Sequence, residues 1–309
     1  MEMAVLNKSE VGSGTLRVQS ILYGNEPERI VQTVAHLERA AQAAITAGVM
    51  QAVELAYGDS SAKPALEESH LEKLRSSCRA ISRIEYRFFN KNMGSAAGQN
   101  SLLVDAKTDL LLVMNPDVML APDALIELAR PLAMPMVGMV EARQLPIEHP
   151  KEYDVQTGET PWATTACLLI SVPLIKDLKG FDAESFFLYC DDLDLCWRAR
   201  LAGYKVIYQP SAAVYHDKRL SESGDWMPSG AEQYYSGEAA LMLAHKYSRE
   251  DIVSDLLKTF STIDIDHLQR AAAEYRRRKE AGLLPTPIDP RHTVGYFSQG
   301  LYARHRFSL

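Results

Sequence analysis

Residues 186 to 204, FFLYCDDLDLCWRARLAGY, place three aspartates, Asp191, Asp192 and Asp194, within four positions behind a run of aromatics. Like charges this close repel, so a cation, a helix terminus or a reaction must make use of them. Leu195, Ala199 and Ala202 recur at helical spacing and Gly203 is a natural stop, which puts the aspartates at a helix N-terminus. There the free N–H groups and the macrodipole favour negative charge, and Asp191 or Asp192 is the expected N-cap. A calcium loop does not fit, because acidic ligands at alternate positions would require one where Cys196 stands and no glycine follows. Capping accounts for one or two carboxylates and gives no reason for the aromatic run that delivers them.

A further carboxylate, Asp117 in LLLVMNPDVML, stands at the exit of an apolar run, where a charge needs a partner. A divalent metal holding a diphosphate would be one, since Mg2+ and Mn2+ sites combine one or two carboxylates with phosphate oxygens. NPD is also turn chemistry, with asparagine initiating and proline preset. His216, in AAVYH, reads either as a strand-end histidine bonded to backbone or as a metal or diphosphate contact. Trp162, in TPWATTACLLI, reads as a core aromatic or as a platform on which a sugar ring stacks. NKNMGSAAGQN carries G-x-x-x-G rather than G-x-G-x-x-G, which rules out a dinucleotide cofactor.

The elements that must position these residues follow from periodicity. LRVQSILY, VMQAVELAY and RIEYRFF read as strands, and TDLLLVMNPDVML as an apolar strand buried on both faces. Helical segments separate them, and this β-α-β-α alternation predicts an α/β fold around a mostly parallel central sheet flanked by helices. In such sheets ligands bind beyond the strand C-terminal ends, where YGNEP, GDSS, NKNMG and NPD all fall. YKVIYQPSAAVYHDKR reads as two short strands split by Pro210, and helical sequence follows from about residue 237. The expected organisation is one α/β domain over 15–235 and a helical C-terminal extension over 236–309.

Hydrophobic residues make up 47% of the 309, enough for a large core, and the net charge of −7 argues against nucleic acid as the main partner. The four cysteines form no C-x-x-C pair, as expected of reduced, packed thiols. The N-terminus lacks an apolar signal region and no stretch of 18 apolar residues occurs, so the expected location is cytoplasmic with at most peripheral membrane contact. Residues 270–309 hold eight Arg or Lys against three acids, either a solvated helix face or a docking surface for anionic headgroups.

ILYGNEPERI, NKNMGSAAGQN, DLLLVMNPDVMLAPDAL, LKGFDAESFFLYCDDLDLCWRARLAGY and AAVYH follow one another across roughly residues 17 to 217. In this combination the chain resembles the GT-A-fold inverting glycosyltransferases of family two, particularly the bacterial rhamnosyl- and galactofuranosyltransferase-like branch. The resemblance implies a cytoplasmic enzyme, at most peripheral at the inner face of the cell membrane, that takes a sugar from a UDP- or dTDP-linked donor. The acceptor would be a hydroxyl of a glycan or lipid-linked molecule in cell-surface polysaccharide synthesis, and the cofactor Mn2+ or Mg2+. By residue, it implies Asp117 as metal ligand with His216 near metal and diphosphate, and Asp192 as catalytic base with Asp191 placing the acceptor. Asp194 would serve the helix start, and Tyr23, Asn25, Asp59, Asn92 and Asn115 would serve the nucleotide. Asn115 stands where the family carries the first acid of its metal motif, and Asp191 where it carries a glutamate.

Two alternatives remain at this stage. A sugar nucleotidyltransferase would share the fold class but needs a glycine-rich, basic loop after its first strand, where this chain has the acidic YGNEPE. A non-catalytic nucleotide-sugar-binding protein is the other, and Asn115 keeps it open.

Overall fold

The computed structural model describes residues 14–148, 151–217 and 229–297. The alternating pattern gives β1 (Gly14–Leu22), α1 (Pro27–Thr46), β2 (Met50–Asp59), α2 (Glu68–Ser77), β3 (Ile81–Phe88), α3 (Gly94–Leu103) and β4 (Leu110–Met114). Then come β5 (Val118–Leu120), α4 (Ala124–Ala129), β6 (Val137–Leu145), β7 (Cys167–Ser171), α5 (Val172–Asp177), α6 (Asp191–Leu201) and β8 (Lys205–His216). Three helices close the described chain: α7 (Gly230–Lys246), α8 (Glu250–Thr262) and α9 (Asp266–Glu280).

The eight strands form one sheet in the order β3-β2-β1-β4-β7-β6-β8-β5. β3, β2, β1 and β4 are parallel neighbours, β6 pairs parallel with β8, and β7 and β5 run the opposite way. One sheet face is covered by α1, α2 and α4 through Ile30, Val34, Leu37, Leu71, Leu74 and Leu125. The other is covered by α3, α5 and α6 through Ala96, Leu103, Leu174, Ile175, Leu195 and Ala199. Both faces of β4 are therefore buried, which is why LLLVM is apolar throughout.

The C-terminal helices add a further layer. Leu193 and Trp197 of α6 share a core with Leu241 and Met242 of α7, Val253 of α8 and Tyr275 of α9. Each buried leucine or methionine there stabilises the contact by roughly 1.5–3 kcal/mol.

Two expectations change. TDLLLVMNPDVML is two strands, β4 and β5, with Asn115–Asp117 between them, and β5 pairs with β8 at the far edge of the sheet. Pro210 does not split YKVIYQPSAAVYH: β8 is continuous, and the register shift from Ala142↔Gln209 to Arg143↔Ala213 takes up the proline as a bulge. In the basic segment, Arg277 pairs with Glu274 and Arg278 with Glu238 and Glu274, so part of its charge is neutralised within the fold. Arg304 and Arg306 lie outside the described residues. Among the described residues no helix is long and apolar enough to cross a membrane, and the four cysteines are free.

Candidate functional site

The turn after β4 is the local structure its sequence calls for. Val118 N–H donates to Asn115 O (3.2 Å), closing a β-turn with Pro116 at the second position. Thr33 Oγ1 of α1 donates to Pro116 O (2.9 Å) and Asp217 N–H donates to Asp117 O (3.0 Å), so the turn is held from both sides. Asp117 Oδ1 lies 3.3 Å from His216 Nε2, and Asn115 Nδ2 lies 3.5 Å from the same nitrogen. On its other side His216 Nδ1 is 2.7 Å from Gln144 Oε1.

This pair fits a divalent cation. Two ligands on one edge of an octahedron with bonds near 2.1 Å are about 3 Å apart. A histidine that donates its second ring N–H to an amide oxygen is the arrangement metal-binding imidazoles use. Among the described residues no cluster of three His, Cys, Asp or Glu side chains could hold a metal. The protein would therefore supply Asp117 and His216, leaving the remaining positions to diphosphate oxygens and water, as Mg2+ and Mn2+ sites commonly do.

The first turn of α6 is built differently. Tyr189 (φ 69°) and Cys190 (φ 56°) are consecutive left-handed, non-glycine residues, and Cys190 is the N-cap. Each such residue costs roughly 1–3 kcal/mol and persists only where its surroundings fix it. Here Cys190 is buried with Phe186, Leu193 and Trp197, and Ser95 N–H at the start of α3 donates to Phe187 O (3.0 Å). Gly94 permits that approach: a Cβ there would lie 2.4 Å from Phe187 O, and its φ is +68°. Asp191 and Asp192 thus stand at the first two helical positions, not at the cap. They are 3% and 5% exposed, and Asp192 Oδ1 accepts from Leu193 N–H (2.9 Å).

Asp194 belongs to a separate set of contacts. Wholly buried, it receives Arg198 Nε (2.7 Å), Lys246 Nζ (2.6 Å) and Tyr247 Oη (3.1 Å). It does not serve the helix start; it ties α6 to the end of α7. Burial first, then the Asp194 charge, pushes the Tyr247 hydroxyl well above its usual range. Cys196, on the same helix, is raised to about 12, mainly by burial, which makes it a packed thiol rather than a nucleophile.

One cleft of about 540 Å³ gathers these elements. Tyr23, Asn25, Asn92, Asn115, Asp117, Asp191, Asp192 and His216 all line it, and they come from the loops after β1, β3 and β4, the end of β8 and the start of α6. Tyr23 is 66% exposed there. Asn25 Oδ1 accepts from Tyr23 N–H (2.9 Å) and Asn92 Oδ1 from Gly94 N–H (3.0 Å), so both asparagines also shape their own turns.

Asp59 is not brought to the cleft. It is 0% exposed, and its carboxylate accepts from Ser61 N–H (2.8 Å), Ala65 N–H (2.7 Å) and Tyr86 Oη. Its neighbour Ser60 lines the cleft instead. Trp162 is a core residue with Lys151 Nζ 3.4 Å from its ring centroid, which removes it as a sugar platform.

Several cleft residues carried no weight in the sequence. Gln144 and Thr164 line it beside His216, and Ser229, Glu232 and Tyr235 reach it from the start of α7. Tyr235 stacks on Phe187 with ring centroids 4.6 Å apart. The one signal for Gln144 was VGMVEARQL, where Glu141, Arg143 and Gln144 interrupt an otherwise apolar strand; Thr164 had none.

No family model matches the chain. It is similar to the pre-mycofactocin glycosyltransferase of Mycobacterium tuberculosis, 28% identical over a stretch covering 51% of this chain and 36% of that protein. It is also similar to the N-acetylglucosaminyl-diphospho-decaprenol L-rhamnosyltransferase of the same organism, 29% identical over 45% of this chain and 56% of that one. The chain thus spans about a third to a little over a half of the length of these curated relatives. A mannosyltransferase from Pyrobaculum calidifontis, solved with GDP-Man and Mn2+, superposes with a TM-score of 0.54 at 14% identity, over 88% of this chain and 82% of that one. GalNAc-T7, solved with UDP, GalNAc and Mn2+, gives 0.63 at 13% identity, over 85% and 55%. The fold is that of the GT-A glycosyltransferases.

Proposed function

We propose that this GT-A-fold, family-two-like chain transfers a glycosyl group from a nucleoside-diphosphate sugar to an acceptor hydroxyl, with inversion. The observation that carries the reading is the single cleft lined by Asp117 and His216 together with Asp191 and Asp192. Its volume of about 540 Å³ falls within the range of roughly 300–1,000 Å³ that takes small ligands and cofactors.

Inverting transfer is one in-line displacement at the anomeric carbon, with oxocarbenium-like charge developing as in glycoside hydrolysis. Asp117 and His216 would hold the cation, Mn2+ or Mg2+, which would supply positive charge to the leaving diphosphate. Asp192 accepts the proton of the attacking hydroxyl, a role worth roughly 10²–10⁴-fold, and Asp191 beside it orients the acceptor. Tyr23, Asn25, Asn92 and Asn115 contact the nucleotide and its phosphates. Asp59 acts one step back, holding the loop after β2 that presents Ser60.

A lipid-linked acceptor is in keeping with the name of the decaprenol-linked rhamnosyltransferase that this chain resembles; a UDP- or dTDP-linked donor, a role in cell-surface polysaccharide synthesis and a place at the inner face of the cell membrane are parts of the same proposal. The α/β unit over 15–235 carries the chemistry; α7, whose first residues lie within it, leads with α8 and α9 into the extension over 236–309. Peripheral membrane contact rests on the basic residues that the fold leaves unneutralised.

Mn2+-dependent binding of UDP, dTDP and GDP, measured by calorimetry on the wild type and on Asp117→Ala, tests the reading. The variant is expected to lose at least about tenfold in metal-dependent affinity with its melting temperature unchanged. Equal binding by both proteins would contradict it. Mn2+-stimulated hydrolysis of the bound nucleotide sugar would separate an enzyme from a binding protein.

A further inference from the structure

Behind His216 runs a chain of buried polar groups that the proposed reaction does not use. Gln144 Oε1 lies 2.7 Å from His216 Nδ1, and Gln144 Nε2 donates to Thr164 Oγ1 (2.9 Å). Thr164 Oγ1 donates to Glu141 Oε1 (2.8 Å), and Thr164 N–H donates to the same oxygen (2.9 Å). Glu141 Oε2 meets Lys151 Nζ at 2.6 Å, and Lys151 Nζ also donates to Trp162 O (3.2 Å) while lying over the indole. Glu141 and Lys151 are 0% and 3% exposed as side chains, Gln144 is 2% exposed and Thr164 7%. A buried ion pair is a weak source of stability, so this one needs another reason to exist.

The direction of every bond follows from one charge. Glu141, paired with an ammonium, is an acceptor, so the single hydroxyl hydrogen of Thr164 must point to it. Thr164 Oγ1 is then an acceptor and takes a hydrogen from the Gln144 amide nitrogen. That fixes which way the amide faces, with its oxygen toward His216 Nδ1. The imidazole must therefore carry a hydrogen on Nδ1, so that Nε2, which faces Asp117 and Asn115, is the nitrogen whose lone pair a cation would take.

We infer that the buried Lys151–Glu141 pair, acting through Thr164 and Gln144, fixes the tautomer and orientation of His216 so that Nε2 is presented as a ligand. These four are positioning residues, and the inference rests on the proposed role of His216 at the cation. Outer partners of metal-bound histidines typically change metal affinity by about 10–100-fold when removed.

The test uses the full chain. Long-range ¹H–¹⁵N NMR reads the His216 tautomer without metal, and electron paramagnetic resonance of free Mn2+ reads affinity in the presence of UDP. Wild-type His216 is expected as the Nδ1–H tautomer. Thr164→Val, which keeps the shape and removes the hydroxyl, is expected to mix the tautomers and weaken Mn2+ binding about tenfold. Thr164→Ser, which restores the hydroxyl, is expected to recover both. A wild-type Nε2–H tautomer would overturn the inference without any variant, and so would a Thr164→Val protein with wild-type tautomer and Mn2+ affinity. If the wild type takes up no Mn2+ with UDP yet shows the Nδ1–H tautomer, the relay stands and the metal reading fails.

Discussion

The strand exit that carries Asp117 and the helix start that carries Asp191 and Asp192 reach the same cleft by different means. The exit is an ordinary proline turn, closed by its own backbone and pinned by α1 and by the residue after β8. The helix start depends on two left-handed residues, which the buried Phe186 and Cys190 and the close approach of Gly94 hold in place. Local chemistry thus shapes one turn and tertiary contact the other. One turn of α6 also contains the sharpest contrast in the molecule. Asp191 and Asp192 face the cleft, whereas Asp194 faces two cations and a phenol in the interior.

The largest effect on stability is expected where that contrast is removed. Asp194→Ala leaves Arg198 and Lys246 without their shared carboxylate, although Lys246 keeps Asp182 (2.7 Å). Breaking a buried pair from one side costs roughly 3–5 kcal/mol. Urea denaturation should read a loss of about that size, with nucleotide affinity of the folded fraction unchanged. A loss below about 1 kcal/mol would mean that Asp194 is not the tie between α6 and α7.

A smaller effect is expected at Gly94. Alanine there would hold a left-handed residue at roughly 1–2 kcal/mol, and its Cβ, 2.4 Å from Phe187 O, would push the aromatic loop away. The displacement falls on residues 187–192 and not on 115–117. The transfer rate of Gly94→Ala should therefore fall more than its affinity for Mn2+ and nucleoside diphosphate. Equal losses in both would mean that the two turns are not independently held.

What the sequence made legible follows the same division. The β-α-β-α periodicity, the NPD turn and the helix behind the aspartates are short-range patterns, and each is present as an element. Loops carrying YGNEP, GDSS, NKNMG and NPD line one cleft because parallel strands end at one edge. The fate of single side chains depended on partners far away in sequence. Asp59 was legible as a loop aspartate, but the N–H groups of Ser61 and Ala65 consume its carboxylate. Asp194 was inseparable from its two neighbours until Lys246, 52 positions later, was known to meet it. Gln144 and Thr164 lay in strand and loop sequence with no motif, and only the folded sheet brings them to His216. β5 crossing to the far edge of the sheet likewise has no local signature.

The central claim is that Asp192 acts on the acceptor rather than on its own helix. Asp192→Asn keeps the volume and a hydrogen-bonding oxygen and removes the basic site, so the two roles separate. The measurement is the transfer rate at saturating donor and acceptor, with donor affinity and melting temperature recorded beside it. A base gives a fall of roughly 10²-fold or more with affinity and melting temperature retained. Near-normal turnover would contradict the account and leave Asp191 as the group to test.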